Sequence, residues 1–143
     1  MLVRLLYASR AAQSVNPEEL VVILKQAKAH NPAAGITGVL CFCFNAGVFM
    51  QVLEGGRSQV SRLYNRIAQD PRHQEVVLLS YDEIDERSFA GWAMGQVNMN
   101  RLNPALVLRY SETAVLDPYA VSGRASMALF KELVATASVA GQG

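Results

Sequence analysis

The stretch that most limits how this chain can fold is residues 35–54, GITGVLCFCFNAGVFMQVLE. Two apolar runs flank Asn45-Ala46-Gly47, and that pattern predicts a β-hairpin. Side chains alternate faces along a strand. On the second strand Phe49, Gln51 and Leu53 therefore share one face, and Val48, Met50 and Val52 share the other. A strand apolar on both faces belongs inside a sheet covered on both sides. Gln51 is then a polar amide in an apolar setting, where leaving it unpaired costs roughly 2–7 kcal/mol. From the hairpin alone two readings stand. Gln51 is a core glutamine satisfied by backbone, the commoner case, or it faces a bound ligand.

The chain has 143 residues, of which 51% are hydrophobic, enough for one domain with a real core rather than a disordered segment. Its net charge is +1 with both signs scattered, so there is no electrostatic case for a nucleic-acid or anionic-membrane partner. No apolar run approaches a membrane span. The opening MLVRLLYAS is too short for a secretory signal and reads as a strand. Cys41 and Cys43 fall on one face of one strand, poorly placed for a disulfide and too few for a zinc site. Buried thiols in a reducing cytoplasm are expected.

Residues 2–8 read as a first strand with Val3, Leu5 and Tyr7 on one face. Tyr7 taken alone is a packed core residue with a satisfied hydroxyl. Asn16-Pro17-Glu18-Glu19 combines an N-cap, a first-turn proline and acids at the positive helix end. Leu20, Ile23, Leu24 and Ala27 continue it at helical spacing. The helix is expected to end near His30, because a residue before proline avoids helical angles. Asn31 would then cap the exit or reach a ligand.

After the hairpin, Gly55-Gly56 is expected to break the strand and Ser58 to cap a second helix, with Val60, Leu63, Tyr64 and Ile67 as its apolar stripe. Arg66 and Asp70 lie one turn apart as a solvated i, i+4 pair, and Pro71 stops the helix. Residues 75–82 predict a further strand. Residues 92–99 predict a last one, with Trp92, Met94, Gln96 and Asn98 on one face. Beyond residue 100 the character changes. Asn103-Pro104 opens a short helix. Ser122 opens a final one with Met127, Phe130, Leu133, Val134 and Ala137 at helical spacing. This tail is expected to pack on the open face of its own sheet, or else against another chain.

The element order is that of a ferredoxin-like α+β sandwich, βαββαββ, followed by two C-terminal helices. The first two strands should run parallel through a right-handed crossover. Both long helices then lie on one face of the sheet, with a slot for a flat ligand between them. Tyr7 and Gln51 can point into that slot from neighbouring strands. Asn31 leaves one wall helix, and Arg66 and Asp70 sit on the other.

With these residues placed, the chain resembles the BLUF family, blue-light sensors that use FAD. The resemblance covers residues 2–99 through RLLYAS, AHNPAAGITGVL, FMQVLEG, YNRIAQDPRH and FAGWAM. It implies a photosensor core over residues 1–99 and an output or oligomerisation extension over residues 100–143. It implies bound flavin: FAD, with FMN or riboflavin as alternatives. Tyr7 would donate an electron and a proton to the photoexcited ring. Gln51 would lie between Tyr7 and the ring's polar edge, and Asn31 would bond to its carbonyl and amide edge. Arg66 and Asp70 would line the second helix side. Ile23 and the stem of Lys28 would wall the ring from the first helix, with Phe49 beside them. Trp92 and Met94 would sense Gln51 from the last strand.

The residue types suit those roles. A phenol is oxidisable, and a glutamine offers donor and acceptor ends on one rotatable amide. In a dry slot, exchanging donor for acceptor is worth about 1–3 kcal/mol, enough to bias a two-state element. Some positions depart from the family pattern. Ala27 stands where members often carry serine, the hairpin is about two residues longer than usual, and Cys41 and Cys43 are unusual. No appended catalytic domain is expected in this chain. Output is expected through a homo-oligomer or a separate signalling protein, such as a cyclic-di-nucleotide enzyme or a response-regulator-like partner. A different reading is an acylphosphatase-type hydrolase using Arg66 and Asn31, but no glycine-rich loop gathers backbone amides around Arg66. An RNA-binding sheet lacks its exposed aromatic pair.

Overall fold

The computed structural model describes residues 1–44, 46–97, 102–136 and 139–140. Its elements, in order, are β1 (Leu2–Ala11), α1 (Pro17–Ala34), β2 (Thr37–Cys43), β3 (Val48–Gly56), α2 (Arg57–Gln69), β4 (His73–Ile84), β5 (Gly95–Val97), α3 (Pro104–Leu108), α4 (Gly123–Ala135) and β6 (Val139–Ala140). The sheet order is β4-β1-β3-β2-β5-β6. β3 is antiparallel to both β1 and β2, so the first two strands run parallel with β3 between them. Four strands thus reproduce the ferredoxin-like core, and β5 extends it by pairing parallel with β2.

Period-two alternation divides the core into two layers. Val3, Leu5, Tyr7, Leu40, Phe42, Phe49 and Leu53 point to one face, where Leu20 and Leu24 of α1 and Val60 of α2 cover them. Leu6, Ala8, Val39, Cys41, Met50 and Val52 point to the other, covered by Leu106 of α3 and by Met127, Leu129, Phe130 and Leu133 of α4. The tail therefore lies on its own sheet. Gly123 makes this close approach possible, since a Cβ there would fall 1.8 Å from the Leu79 carbonyl oxygen. Ala137, expected on the same stripe, lies outside the described residues. Cys41 and Cys43 are both thiols.

β1 runs on to Ala11 and β4 spans His73–Ile84, both longer than expected, and three other boundaries differ for a local reason. α1 runs past His30 to Ala34 with Pro32 inside it. Proline forfeits one backbone bond, a loss that is tolerable in the last turn. Gly35 then ends the helix in the left-handed region at φ 69°, its N–H donating to the Asn31 and Pro32 carbonyls. β3 continues through Gly55-Gly56, and α2 begins at Arg57 with Gly56 rather than Ser58 as its N-cap and no side-chain cap bond. Gly55 packs against the Gly35 carbonyl, where a Cβ would meet it at 3.0 Å, so this glycine permits close packing instead of breaking the strand. Trp92 and Met94 precede the last strand, which starts at Gly95. Trp92 follows a turn and Met94 lies in a bend, so two-residue alternation does not apply to them. Asn45 of the hairpin turn, and Asn98 and Met99 of the expected last strand, lie outside the described residues. Gly47 of that turn adopts φ 64° and closes it by donating to the Cys43 carbonyl at 2.8 Å.

A buried ionic cluster sits on the α4 side of the sheet. Arg4 and Glu54 lie directly opposite each other on β1 and β3, and Arg4 Nε donates to Glu54 Oε2 at 2.9 Å. The Glu54 carboxylate also accepts the backbone N–H groups of Ser88 at 2.9 Å and Phe89 at 2.7 Å. Arg4 Nη2 donates to Ser88 Oγ at 2.6 Å. Glu54 is 0% exposed. A carboxylate so buried requires this many donors, because desolvation otherwise outweighs its attraction to a single cation.

Candidate functional site

Between α1 and α2, on the face of the sheet away from α4, lies a slot of about 180 Å³. From α1, Ile23, Gln26, Ala27, His30 and Asn31 line it. Their i, i+3, i+4, i+7, i+8 spacing is one helical stripe. Leu63, Arg66 and Ile67 form the facing stripe of α2, and Asp70 lines the slot from the helix's C-cap. Tyr7, Leu40, Phe49 and Gln51 are contributed by the sheet, and Arg72 and His73 by the entry to β4. An adjoining cavity of about 470 Å³ shares Ile23, Phe49 and Arg72 and extends past the start of α1. Lys28 lines neither cavity. It is exposed, five residues beyond Ile23 and so turned off the stripe.

The slot ends in a hydrogen-bonded chain. Tyr7 and Gln51 are register partners on β1 and β3, and the Tyr7 hydroxyl donates to Gln51 Oε1 at 2.5 Å. Gln51 Nε2 donates to Met94 Sδ at 3.2 Å. Thioether sulfur is a weak acceptor, so this end of the amide is the less firmly held. Asn31 Nδ2 donates to the Ala93 carbonyl at 2.9 Å, tying the end of α1 to the same segment. The β1–β4 register slips beside Tyr7, between Leu6 and Tyr7, the kind of irregularity that re-aims a side chain next to a site.

Burial pushes the Tyr7 phenol well above its ordinary range, with Tyr64 and Asp70 adding to the shift. The phenol is therefore protonated in the resting state. The Tyr64 ring packs 5.7 Å from that of Tyr7, centroid to centroid. His73 stacks 4.8 Å from Phe49 and shares a 2.7 Å hydrogen bond with Ser9. Burial lowers its pKa, and the net effect holds the imidazole neutral.

The expected Arg66–Asp70 pair is absent. Asp70 is the C-cap of α2 at ψ 126°, so its side chain has left the helical register. Pro71 turns the chain, and Arg72 forks onto the Asp70 carboxylate with contacts of 2.7 to 3.1 Å. The Arg72 hydrogen bond holds that carboxyl below its usual range. Arg66 is exposed at the slot's rim.

The structure separates Trp92 from Met94. Met94, 1% exposed, belongs to the slot-side core. Trp92 packs against the opposite core, under the C-terminal helices, and its buried indole N–H has no partner among the described residues. Arg72 and His73 went unassigned in the sequence reading. The signal for them was their place directly after Pro71, where the chain turns back into the sheet beside Tyr7.

This arrangement defines a ligand-binding α+β sandwich whose slot has apolar walls and two amides at its inner end. A flat, mostly apolar ring with a polar edge fits that donor set. The comparisons agree. Residues 2–95 match the family described as sensors of blue light using FAD. Over 88 residues the chain is 40% identical to photoactivated adenylate cyclase subunit alpha of Euglena gracilis, covering 62% of this chain and 8% of that protein. It is 35% identical over 89 residues to the blue light- and temperature-regulated antirepressor BluF of Escherichia coli K12, covering 62% and 22%. The photo-activated state of BlsA superposes with a TM-score of 0.80 at 32% identity, covering 100% of this chain and 99% of that one. The chain belongs to the BLUF family. Its cofactor is a flavin, FAD by the family's description. Among the described residues no helix is long and apolar enough to cross a membrane.

Proposed function

We propose that this chain is a blue-light switch, not an enzyme, in which Tyr7 and Gln51 exchange hydrogen-bond polarity beside the bound flavin. The observation that carries the reading is the buried chain from the Tyr7 hydroxyl through the Gln51 amide to Met94. When bound, FAD supplies light absorption and an electron-accepting ring. Tyr7 gives an electron and a proton and later takes both back. The Gln51 amide, held by a short bond at one end and a thioether at the other, settles afterwards with its donor and acceptor ends rearranged. Asn31, Ile23, Phe49, Arg66 and Asp70 would hold and enclose the ring. A rearranged Gln51 amide that donated to the bound flavin would lower its excitation energy and shift its absorption to the red.

The rearranged amide changes its contact with Met94, and the segment before β5 carries that change around the sheet. Trp92, packed under α4 on the far face, is the other end of this path. Residues 1–99 form the sensor and residues 100–143 the output surface. Output passes to a separate protein in the cytoplasm or to further copies of this chain. An adenylate cyclase and an antirepressor are named among the relatives, which supports a nucleotide-signalling or regulatory partner. The test is Tyr7→Phe. It should bind flavin normally and lose the stable light-induced red shift; an unaltered photocycle in that variant removes Tyr7 from its role.

A further inference from the structure

The segment from Ser88 to Gly95 crosses from one face of the sheet to the other. On the α4 side its first residues are fastened by backbone N–H bonds from Ser88 and Phe89 to Glu54. On the slot side Met94 accepts from Gln51. Between these points the Trp92 carbonyl accepts from Gly38 N at 3.0 Å, and the Ala93 carbonyl accepts from Asn31. Glu54 lies three residues beyond Gln51 on β3, and its partner Arg4 lies three residues before Tyr7 on β1. The strand pair that carries the phenol and the amide therefore also carries the anchor of the segment that reads the amide.

We infer that Glu54, neutralised by Arg4, is a positioning residue that sets where Met94 stands against Gln51. It touches neither the slot nor the flavin. It works by fixing the near end of a short strap, so that a change at the amide moves the far end relative to a fixed point. Without the anchor the strap keeps only the Gly38 and Asn31 bonds to its Trp92 and Ala93 carbonyls, and Met94 shifts against the Gln51 amide. Where it concerns light output, this inference rests on the photoswitch reading above; the anchoring itself does not.

The test uses the full chain, with ¹³C-methyl methionine and two double variants that leave no unpaired buried charge. Arg4→Met with Glu54→Gln keeps one amide oxygen, enough for one of the two N–H groups that Glu54 accepts through separate oxygens. Arg4→Met with Glu54→Met removes the acceptor. The Met94 methyl resonance, identified by its loss in Met94→Leu, is compared with and without flavin. The glutamine variant, which retains one of the two bonds, should shift the resonance less than the methionine variant, which retains neither. In flavin-loaded protein the methionine variant should also change the dark recovery rate by about fivefold or more, the size of one lost hydrogen bond. Ser88→Ala, which deletes only the Arg4 to Ser88 hydroxyl bond, should give a smaller shift of the same sign and decides the matter if the methionine variant does not fold. Resonances that stay in place in both Ser88→Ala and the methionine variant overturn the inference, as does an equal shift in the glutamine and methionine variants. If wild-type protein takes up no flavin, the photoswitch reading fails, while the Met94 resonance of the flavin-free protein still decides the anchoring.

Discussion

Tyr7 and Gln51 face each other across β1 and β3 as direct register partners, and the phenol donates to the amide oxygen at 2.5 Å. Both side chains are almost wholly buried, at 1% and 8% exposure. Adjacent antiparallel strands keep this pair together without help from loops. The register by itself therefore aligns the donor and acceptor, and the variable partner is the one beyond the amide.

Gln51→Leu should preserve the fold and flavin binding while leaving absorption unchanged by light. It removes both ends of the switch and strands the Tyr7 hydroxyl, at a cost of about 1–3 kcal/mol. Thermal unfolding and difference spectra check the two parts separately. A full wild-type red shift in this variant would count against the amide as the switching element.

Met94 and Trp92 should behave oppositely. Met94→Ala empties a fully buried site and should cost about 2–5 kcal/mol, and it should alter the lifetime of the lit state. Trp92→Phe removes an indole N–H that has no partner among the described residues, so stability should change little and the red shift should persist. Difference spectra of the two variants test this; loss of the red shift in Trp92→Phe alone would reverse the assignment.

Stability should fall as pH is lowered from about 7.5 to 5.5. Burial depresses the His73 pKa in the folded state, so the unfolded chain binds a proton more readily as pH drops through the ordinary histidine value. Stability is complete above that value and declines below it. The groups around His73 are Ser9, Asp70 and Arg72. His73→Gln should flatten the dependence in thermal melts across that window, and an unchanged slope would exclude His73 as its source. Asp70, lowered by Arg72, adds a loss of the same sign only at more acidic pH.

Gly123→Ala should loosen the C-terminal helix. The added Cβ would meet the Leu79 carbonyl at 1.8 Å, so α4 must lift from β4 or shift along it. Limited proteolysis should cut the variant faster near residues 120–136 while the sensor core resists. Equal cutting rates would mean that the helix is docked by other contacts.

Much of this was legible in the sequence because it rests on periodicity. The hairpin, the two wall helices and the tail helix follow two-residue or helical spacing, and that alternation put Tyr7 and Gln51 on one face. What escaped depended on exceptions. Pro32 reads as a helix stop, yet in a last turn closed by Gly35 it gives up only one bond. Trp92 and Met94 are two apart, which implies a shared face only if the chain between them is extended, and here it bends. Asp70 was paired with Arg66 by helical spacing, but a C-cap residue no longer obeys that spacing. Arg4 and Glu54 alternate as the strand pattern requires, on the face where apolar residues were expected. No local pattern announces a long-range bond from Glu54 to Phe89, so the cluster emerged only from the folded chain.

The most direct measurement is the absorption spectrum of the purified, flavin-loaded protein, taken in the dark, under blue light and again after dark recovery. The account predicts a yellow protein whose flavin band shifts to the red on illumination and returns in the dark. A protein that binds no flavin even on reconstitution, or one whose band does not move under blue light, contradicts it.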